Sequence, residues 1–305
     1  MTHDPRFLPV AQPGRLPEAP PVFERIAIVG LGLIGGSIAL GARQVWPKSL
    51  VIGVDRNDVL ELAMRLHAVD VAAEDLSILS DVELVVLAAP VQENCALLLR
   101  LPDFLRGPAM VTDVGSTKRD IVKVARQLPS SLTFVPGHPL AGAARAGIAH
   151  ARADLFVGRP WILTPAAAQD DEVSRLSAFV SALGASPVCV DPDAHDRLVA
   201  YLSHVPQLVA STLMAAVGAG AGVEGLALAG RGLIDTTRLA ASPSGIWTDI
   251  CSANADEIGP ALDQVIARLT ELRRHLGSGD AVQALFAQAN LWRERLVGAG
   301  PNRHS

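Results

Sequence analysis

From residue 25 the chain alternates short, almost wholly apolar runs with longer segments of helical period. The runs are RIAIVG (25–30), LVIGVD (50–55), ELVVLAAP (83–90), AMVTDVG (109–115) and LTFVPG (132–137). They are rich in β-branched residues and show no apolar/polar alternation, as expected of strands covered on both faces. Segments long enough for a crossover helix, such as LIGGSIALGARQV and STKRDIVKVARQL, separate most of them, so a parallel sheet with helices packed on it is predicted. PWILTP (160–165) and SPVCVD (186–191) flank a helical segment and are expected to extend the same sheet. After residue 191 the strand signals stop. DPDAHDRLVAYLSHVPQLVASTLMAAVG opens with acidic and proline start signals and continues at helical spacing, with Pro206 expected to kink it. NADEIGPALDQVIARLTELRRHLG and DAVQALFAQANLWRERLVG, separated by GSGD, also read as helices. The pattern predicts an α/β domain over residues 24–191, an all-helical domain over 192–298 and a short tail over 299–305, with no internal repeat.

Composition narrows the picture. The chain has 305 residues, enough for a full core, and its net charge of −5 with no basic run argues against a nucleic-acid partner. Cys95, Cys189 and Cys251 lie far apart and form no CxxC pair, which suggests reduced core residues of a cytoplasmic protein and no metal site. No long apolar run is expected to span a membrane. The opening MTHDPRFLPVAQPGRLPEAPP carries six prolines in 21 residues and lacks the apolar stretch of a signal peptide. Residues 1–23 are therefore expected to be a disordered lead.

The first turn carries the first chemistry. GLGLIGGS (30–37) directly follows the first strand and opens the first helix. Gly30 suits the tight turn, Gly32 lets a pyrophosphate approach the backbone, and Gly35 lets helix and strand pack closely. Leu33 and Ile34 begin the helix, whose free N–H groups favour phosphate. Asp55, at the end of the second strand and 20 residues beyond Gly35, is placed to accept the ribose hydroxyls of NAD and to repel the extra phosphate of NADP. Arg56 could instead pair with that phosphate or stack on adenine. Ala89 and Pro90, at the end of the third apolar run, complete the candidate cofactor set.

GLGLIGGS, DVGSTK (113–118), PGHPLAG (136–142), HDRLVAYLSHVPQ (195–207) and DTTRLAASPSGIWTDI (235–250), in that order, resemble the prephenate/arogenate (cyclohexadienyl) dehydrogenase family of tyrosine biosynthesis. The resemblance runs from about residue 24 to 296 and implies a Rossmann-type NAD-binding domain, a helical domain that forms a homodimer, and an active site between them. It implies NAD-dependent oxidative decarboxylation of prephenate or arogenate. His138 matches the family histidine that accepts the ring-hydroxyl proton, a task suited to an imidazole whose ordinary pKa is near 6.5. Ser116 matches a serine that bonds that histidine, although a serine ahead of a helix is commonly an N-cap. Asp113 and Lys118, in the same turn, are expected to be structural. Arg238 matches the arginine that holds a substrate carboxylate, and its guanidinium fork suits the task. Trp247 matches a tryptophan that reaches the neighbouring subunit's site in parts of the family, with an interface or core role as the alternative.

His195 and His204 also match family histidines. They are nine residues apart, on opposite faces of an ideal helix, and need a kink to share one site. His195, among Asp191, Asp193 and Asp196, is expected to play a structural part in a first helical turn. His204 and Gln207 share a face that is expected to line the cleft. Gln207, Ala143 and Ile234 depart from the residues common in the family, so the choice among prephenate, arogenate and an amino-substituted prephenate stays open. A β-hydroxyacid dehydrogenase or imine reductase of similar build is a further alternative. It usually depends on a lysine or aspartate in the helical domain, and no lysine follows Lys123 here. A silent NAD-binding sensor is the alternative from another class, although the candidate histidine and arginine are both present.

Overall fold

The computed structural model describes residues 20–142, 145–165 and 170–298. Strands β1 (Arg25–Val29), β2 (Leu50–Val54), β3 (Val71–Ala73), β4 (Leu84–Leu87), β5 (Ala109–Asp113) and β6 (Leu132–Phe134) form one all-parallel sheet in the order β3-β2-β1-β4-β5-β6. Helices α1 (Leu33–Val45), α2 (Asn57–Arg65), α3 (Val91–Arg100) and α4 (Arg119–Ala125) supply crossovers, which makes a Rossmann-type doubly wound domain. Two apolar layers hold it. One side of the sheet packs Ile26, Ile28, Leu84 and Val86 with Ile38, and the other packs Ala27, Val85 and Val111 with Leu98 and Ile121.

The run LTFVPG divides, contrary to expectation. Pro136 can donate no ladder hydrogen bond, and the chain leaves the main sheet after β6 to form β7 (Gly137–Pro139). β7 pairs antiparallel with β8 (Pro160–Leu163), and β8 pairs parallel with β9 (Ser186–Cys189) across α5 (Asp170–Ala182). The two runs expected to extend the parallel sheet therefore form a separate three-stranded sheet with the histidine-bearing segment.

The end of the lead also differs from expectation. Phe23 is fully buried, its ring 5.7 Å from Phe179 and covered by the Arg175 guanidinium at 4.1 Å, because an aromatic beside β1 can enter the core. Residues 1–19 lie outside the described residues. Of the cysteines only Cys95 is buried; Cys251 is half-buried and Cys189, on edge strand β9, is exposed.

The helical part comprises α6 (Pro192–Val199), α7 (Val205–Leu226), α8 (Arg231–Thr236), α9 (Ser244–Ala253), α10 (Ala255–Arg274) and α11 (Gly279–Gly298). Asp191 caps α6 by accepting from the N–H groups of Asp193 and Ala194, as the acidic start signal suggested. A π-helical turn, Ala200–His204, joins α6 to α7 and precedes the expected Pro206, which lies in the first turn of α7. By length and composition the helical run Pro192–Leu226 could cross a membrane, because residues 205–223 carry no charge; the expectation of no such run is corrected. Only 6% of its most apolar stretch is buried.

Candidate active site

The glycine turn forms as its spacing requires. Gly30 has φ of 95°, and a Cβ there would come within 2.7 Å of the Ala88 carbonyl carbon. A Cβ on Gly35 would stand 1.9 Å from the Gly30 oxygen, whereas Gly32 faces open space. The third glycine thus seats α1 on the sheet, and the second leaves a free approach to the backbone. A groove of about 580 Å³ opens here, lined by Gly30, Gly32, Asp55, Arg56, Ala89 and Pro90 among others. Leu33 and Ile34 start α1 behind it. The Asp55 carboxylate is fixed by the N–H groups of Leu31 at 2.6 Å and Arg56 at 2.7 Å. Glu74 and Asp75 also line this end and add negative charge beside it. The Arg56 side chain is largely exposed and lies 3.5 Å from Asp58. The open backbone at Gly32, the helix start and a fixed carboxylate fit a dinucleotide.

β7 carries His138 to the C-terminal end of β5. The Asp113 carboxylate accepts from Gly137 N at 3.2 Å and Gly115 N at 2.8 Å. It also accepts from the fully buried Lys118, whose Nζ donates to the Gly137 carbonyl at 2.8 Å as well. Asp113 and Lys118 thus have the structural part expected of them: they hold the Gly-His-Pro segment against the sheet. Ser116 is half-buried, stands two residues ahead of the Lys118 N-cap, and makes no side-chain hydrogen bond among the described residues. It neither caps α4 nor bonds His138.

The partner of His138 is His195, with Nδ1 and Nε2 2.9 Å apart. His195 Nδ1 in turn lies 2.7 Å from an Asp196 oxygen. Asp196 accepts from the backbone N–H groups of Lys118 at 2.8 Å and Arg119 at 3.0 Å, and from Arg119 Nε at 3.2 Å. His195 therefore does not serve merely as a first-turn residue; it is fully buried behind His138. Sequence reasoning missed this pairing because it depends on how α6 docks onto β7. The signal was the adjacent His195-Asp196 dipeptide on a helix near the proposed cleft.

Burial of Asp196 opposes its ionisation, but the N–H donors from His195, Arg119 and Lys118 outweigh it and keep the carboxyl below the ordinary range. His138 is held well below the ordinary histidine value, chiefly by burial and then by His195, Lys118 and His204 nearby. Its Nε2 has no protein partner among the described residues and is not sealed from solvent. The π turn brings His204 to the same region although it is nine residues from His195. Burial pushes His204 down to about 4. Asn254 Nδ2 lies 3.3 Å from His204 Nδ1, and the buried Nε2 has no partner among the described residues.

The remaining candidates divide. The Trp247 ring packs edge-on to His204 of its own chain, with centroids 6.0 Å apart. Gln207 does not present a free amide to a cleft. Its Nε2 donates to the Leu239 carbonyl at 2.7 Å and Ser211 Oγ at 3.2 Å, and its Oε1 accepts from Ser242 at 3.2 Å. It braces the turn Arg238–Ala241, where Arg238 is exposed and makes no ion pair among the described residues. Ile234 is exposed, and Ala143 lies outside the described residues. Arg119 joins the two parts of the chain, bonding Asp196, Asp256 at 2.5 Å and Asn254 at 2.9 Å. Asp249 adds another tie by accepting from Val91 N at 2.7 Å.

Known proteins match the chain over both domains. The model for "Prephenate dehydrogenase, nucleotide-binding domain" matches residues 38–188, and that for "Prephenate dehydrogenase, dimerization domain" matches residues 191–288. A prephenate dehydrogenase from Bacillus subtilis is 34% identical over 265 residues, covering 85% of this chain and 71% of that protein. The crystal structure of Synechocystis arogenate dehydrogenase superposes with a TM-score of 0.75 at 31% identity, covering 89% of this chain and 99% of that one. The Aquifex aeolicus prephenate dehydrogenase in complex with hydroxyphenyl propionate and NAD+ superposes with a TM-score of 0.79 at 26% identity, covering 89% and 97%.

Proposed function

The chain belongs to the prephenate dehydrogenase family, and from that premise we propose that it catalyses NAD-dependent oxidative decarboxylation of prephenate, arogenate or both. The observation that carries this reading is His138. It is buried, its depressed pKa favours the neutral form, and one ring nitrogen is engaged while the other has no partner among the described residues. That suits a proton acceptor at physiological pH.

When bound, NAD supplies the hydride acceptor. Gly32 would leave its pyrophosphate a path to the start of α1, which Gly30 and Gly35 seat against the sheet, and Asp55 would receive the ribose hydroxyls. Asp55, Glu74 and Asp75 together disfavour a further phosphate at that end, which supports NAD over NADP. His138 Nε2 takes the ring-hydroxyl proton as the carbonyl forms. The proton returns to the oxygen when the ring carboxylate leaves as carbon dioxide and its bonding pair makes the ring aromatic. Arg238 supplies a cation for a substrate carboxylate, and His204, whose buried Nε2 has no partner among the described residues, backs the site. Ser116, half-buried and without a side-chain hydrogen bond among the described residues, is left available to the nicotinamide or the substrate. Gln207 acts on the substrate through Arg238, and Trp247 closes against His204.

The helical domain is proposed to pair with a second copy in a cytoplasmic homodimer. The family's dimerisation model and the exposed Val223, Leu228, Phe286 and Trp292 support this. His138→Asn is expected to lower turnover by a factor on the order of 10²–10⁴ while leaving NAD affinity near its original value. A variant that turns over at nearly full rate would remove His138 from the reaction.

A further inference from the structure

Behind His138 stands a directional chain of buried groups: Asp196, His195 Nδ1, His195 Nε2, His138 Nδ1. Its polarity follows from the anchoring end. An Asp196 carboxylate that accepts from two backbone N–H groups and the Arg119 guanidinium can only accept from His195. His195 Nδ1 therefore carries the proton, and in that tautomer the ring presents a lone pair at Nε2. That lone pair requires the N–H of His138 to be at Nδ1, which leaves the His138 lone pair at Nε2, the nitrogen without a protein partner among the described residues.

We infer that His195 and Asp196 are a positioning pair that fixes His138 in its accepting tautomer and takes up part of the charge formed when it is protonated. This rests on His138 as the proton acceptor. When Nε2 gains the substrate proton, the Nδ1 proton can move across 2.9 Å to His195 Nε2. The cation then lies on His195 against the Asp196 carboxylate, and His138 is neutral again; the reverse shift precedes return of the proton. No atom or electron pair is gained or lost along this path.

The pair also makes the base conditional on domain docking. Asp196 and His195 belong to α6, but the donors that hold Asp196 come from Lys118 and Arg119 at the start of α4. Asn254 adds a bond from the other side, its Nδ2 donating to the Asp196 carbonyl at 2.9 Å. Among the described residues, the charged or titratable groups facing this chain are Lys118, with its partner Asp113, and His204 beside His138, and Arg119, with its partners Asp256 and Glu257, beside Asp196.

Nitrogen-15 NMR of histidine-labelled protein without substrate reads the tautomer directly, with His138 assigned by its own substitution. The expected spectrum of the unsubstituted protein has His138 protonated at Nδ1 and His195 protonated at Nδ1. A His138 protonated at Nε2 would overturn the proposal with no variant needed. In His195→Leu and Asp196→Asn the His138 signal should become a tautomer mixture. Turnover should fall on the order of 10²-fold or more, and the acid limb of the kcat profile should move, with NAD affinity unchanged. His195→Gln, which keeps a carbonyl able to accept from His138, should recover the single tautomer and part of the rate. If His138→Asn abolishes turnover while His195→Leu keeps it within about threefold and leaves the tautomer unaltered, the positioning pair fails and the base stands. If His138→Asn itself is active, the base assignment fails first.

Discussion

Two side chains show how position in the fold decides what a polar group can do. His138 and Gln207 are both buried polar residues in motifs that resemble substrate-facing ones. His138 has one ring nitrogen engaged and one open, whereas Gln207 spends both ends of its amide on Leu239, Ser211 and Ser242. Gln207 is thus a brace for the turn that begins at Arg238. Gln207→Leu leaves the Leu239 carbonyl without that donor, and a stability loss of about 1–2 kcal/mol is expected. Because the turn that carries Arg238 would lose that brace, KM for a dicarboxylate substrate should rise more than kcat falls. Equal KM values in both proteins would show that the brace does not govern substrate binding. Sequence spacing placed Gln207 on the same face as His204, but a shared helix face does not say whether the amide meets substrate or backbone. The tertiary partner, 32 positions later, settles that.

At the level of elements, β1, β2, β4, β5 and β6 followed from apolar β-branched runs, which need only local composition to be visible. β3 has three residues and no comparable run, so only its pairing with β2 marks it. β6 and β7 looked like one strand because Pro136 interrupts pairing without interrupting the apolar pattern. The helix break was foreseen at Pro206, but its form as a π turn, which brings His204 toward the site of His195, was not legible from residue types. The glycine turn was fully legible, since each glycine answers a separate steric demand. Gly35→Ala should destabilise the fold by about 1–3 kcal/mol, because its Cβ meets the Gly30 oxygen at 1.9 Å. Gly32→Ala should melt within a degree or two of the original protein yet bind NAD more weakly, because that side is open. Thermal melts with and without NAD separate the two. Similar melts and similar NAD affinities in both variants would contradict these roles.

Across the whole molecule the two domains are joined by charged and amide side chains at Asp196, Arg119, Asn254 and Asp249, and the candidate histidines lie at that joint. This gives the stability a pH signature. An ordinary histidine titrates near 6.5, whereas His204 is pushed down to about 4 and His138 well below its ordinary value, both mainly by burial. Between about 6.5 and 4 the unfolded chain binds protons that the folded chain refuses, so stability should fall as pH is lowered through that window. The Asp196 carboxyl, held below the ordinary range, adds stability that is present above the unfolded value near 4 and is lost as pH falls through its folded value. Urea midpoints at pH 7 and pH 5 measure the histidine part, and the midpoint at pH 5 should be lower. An equal or higher midpoint at pH 5 would mean that these histidines accept protons in the folded chain.

The most direct test of the account is steady-state NAD reduction with prephenate and with arogenate, run in parallel on one preparation. Reduction with at least one of them is predicted, and the ratio of the two kcat/KM values would show which substrate side chain the protein accepts. A protein that binds NAD but reduces none with either substrate would contradict the proposed reaction while leaving the family and the fold as they are.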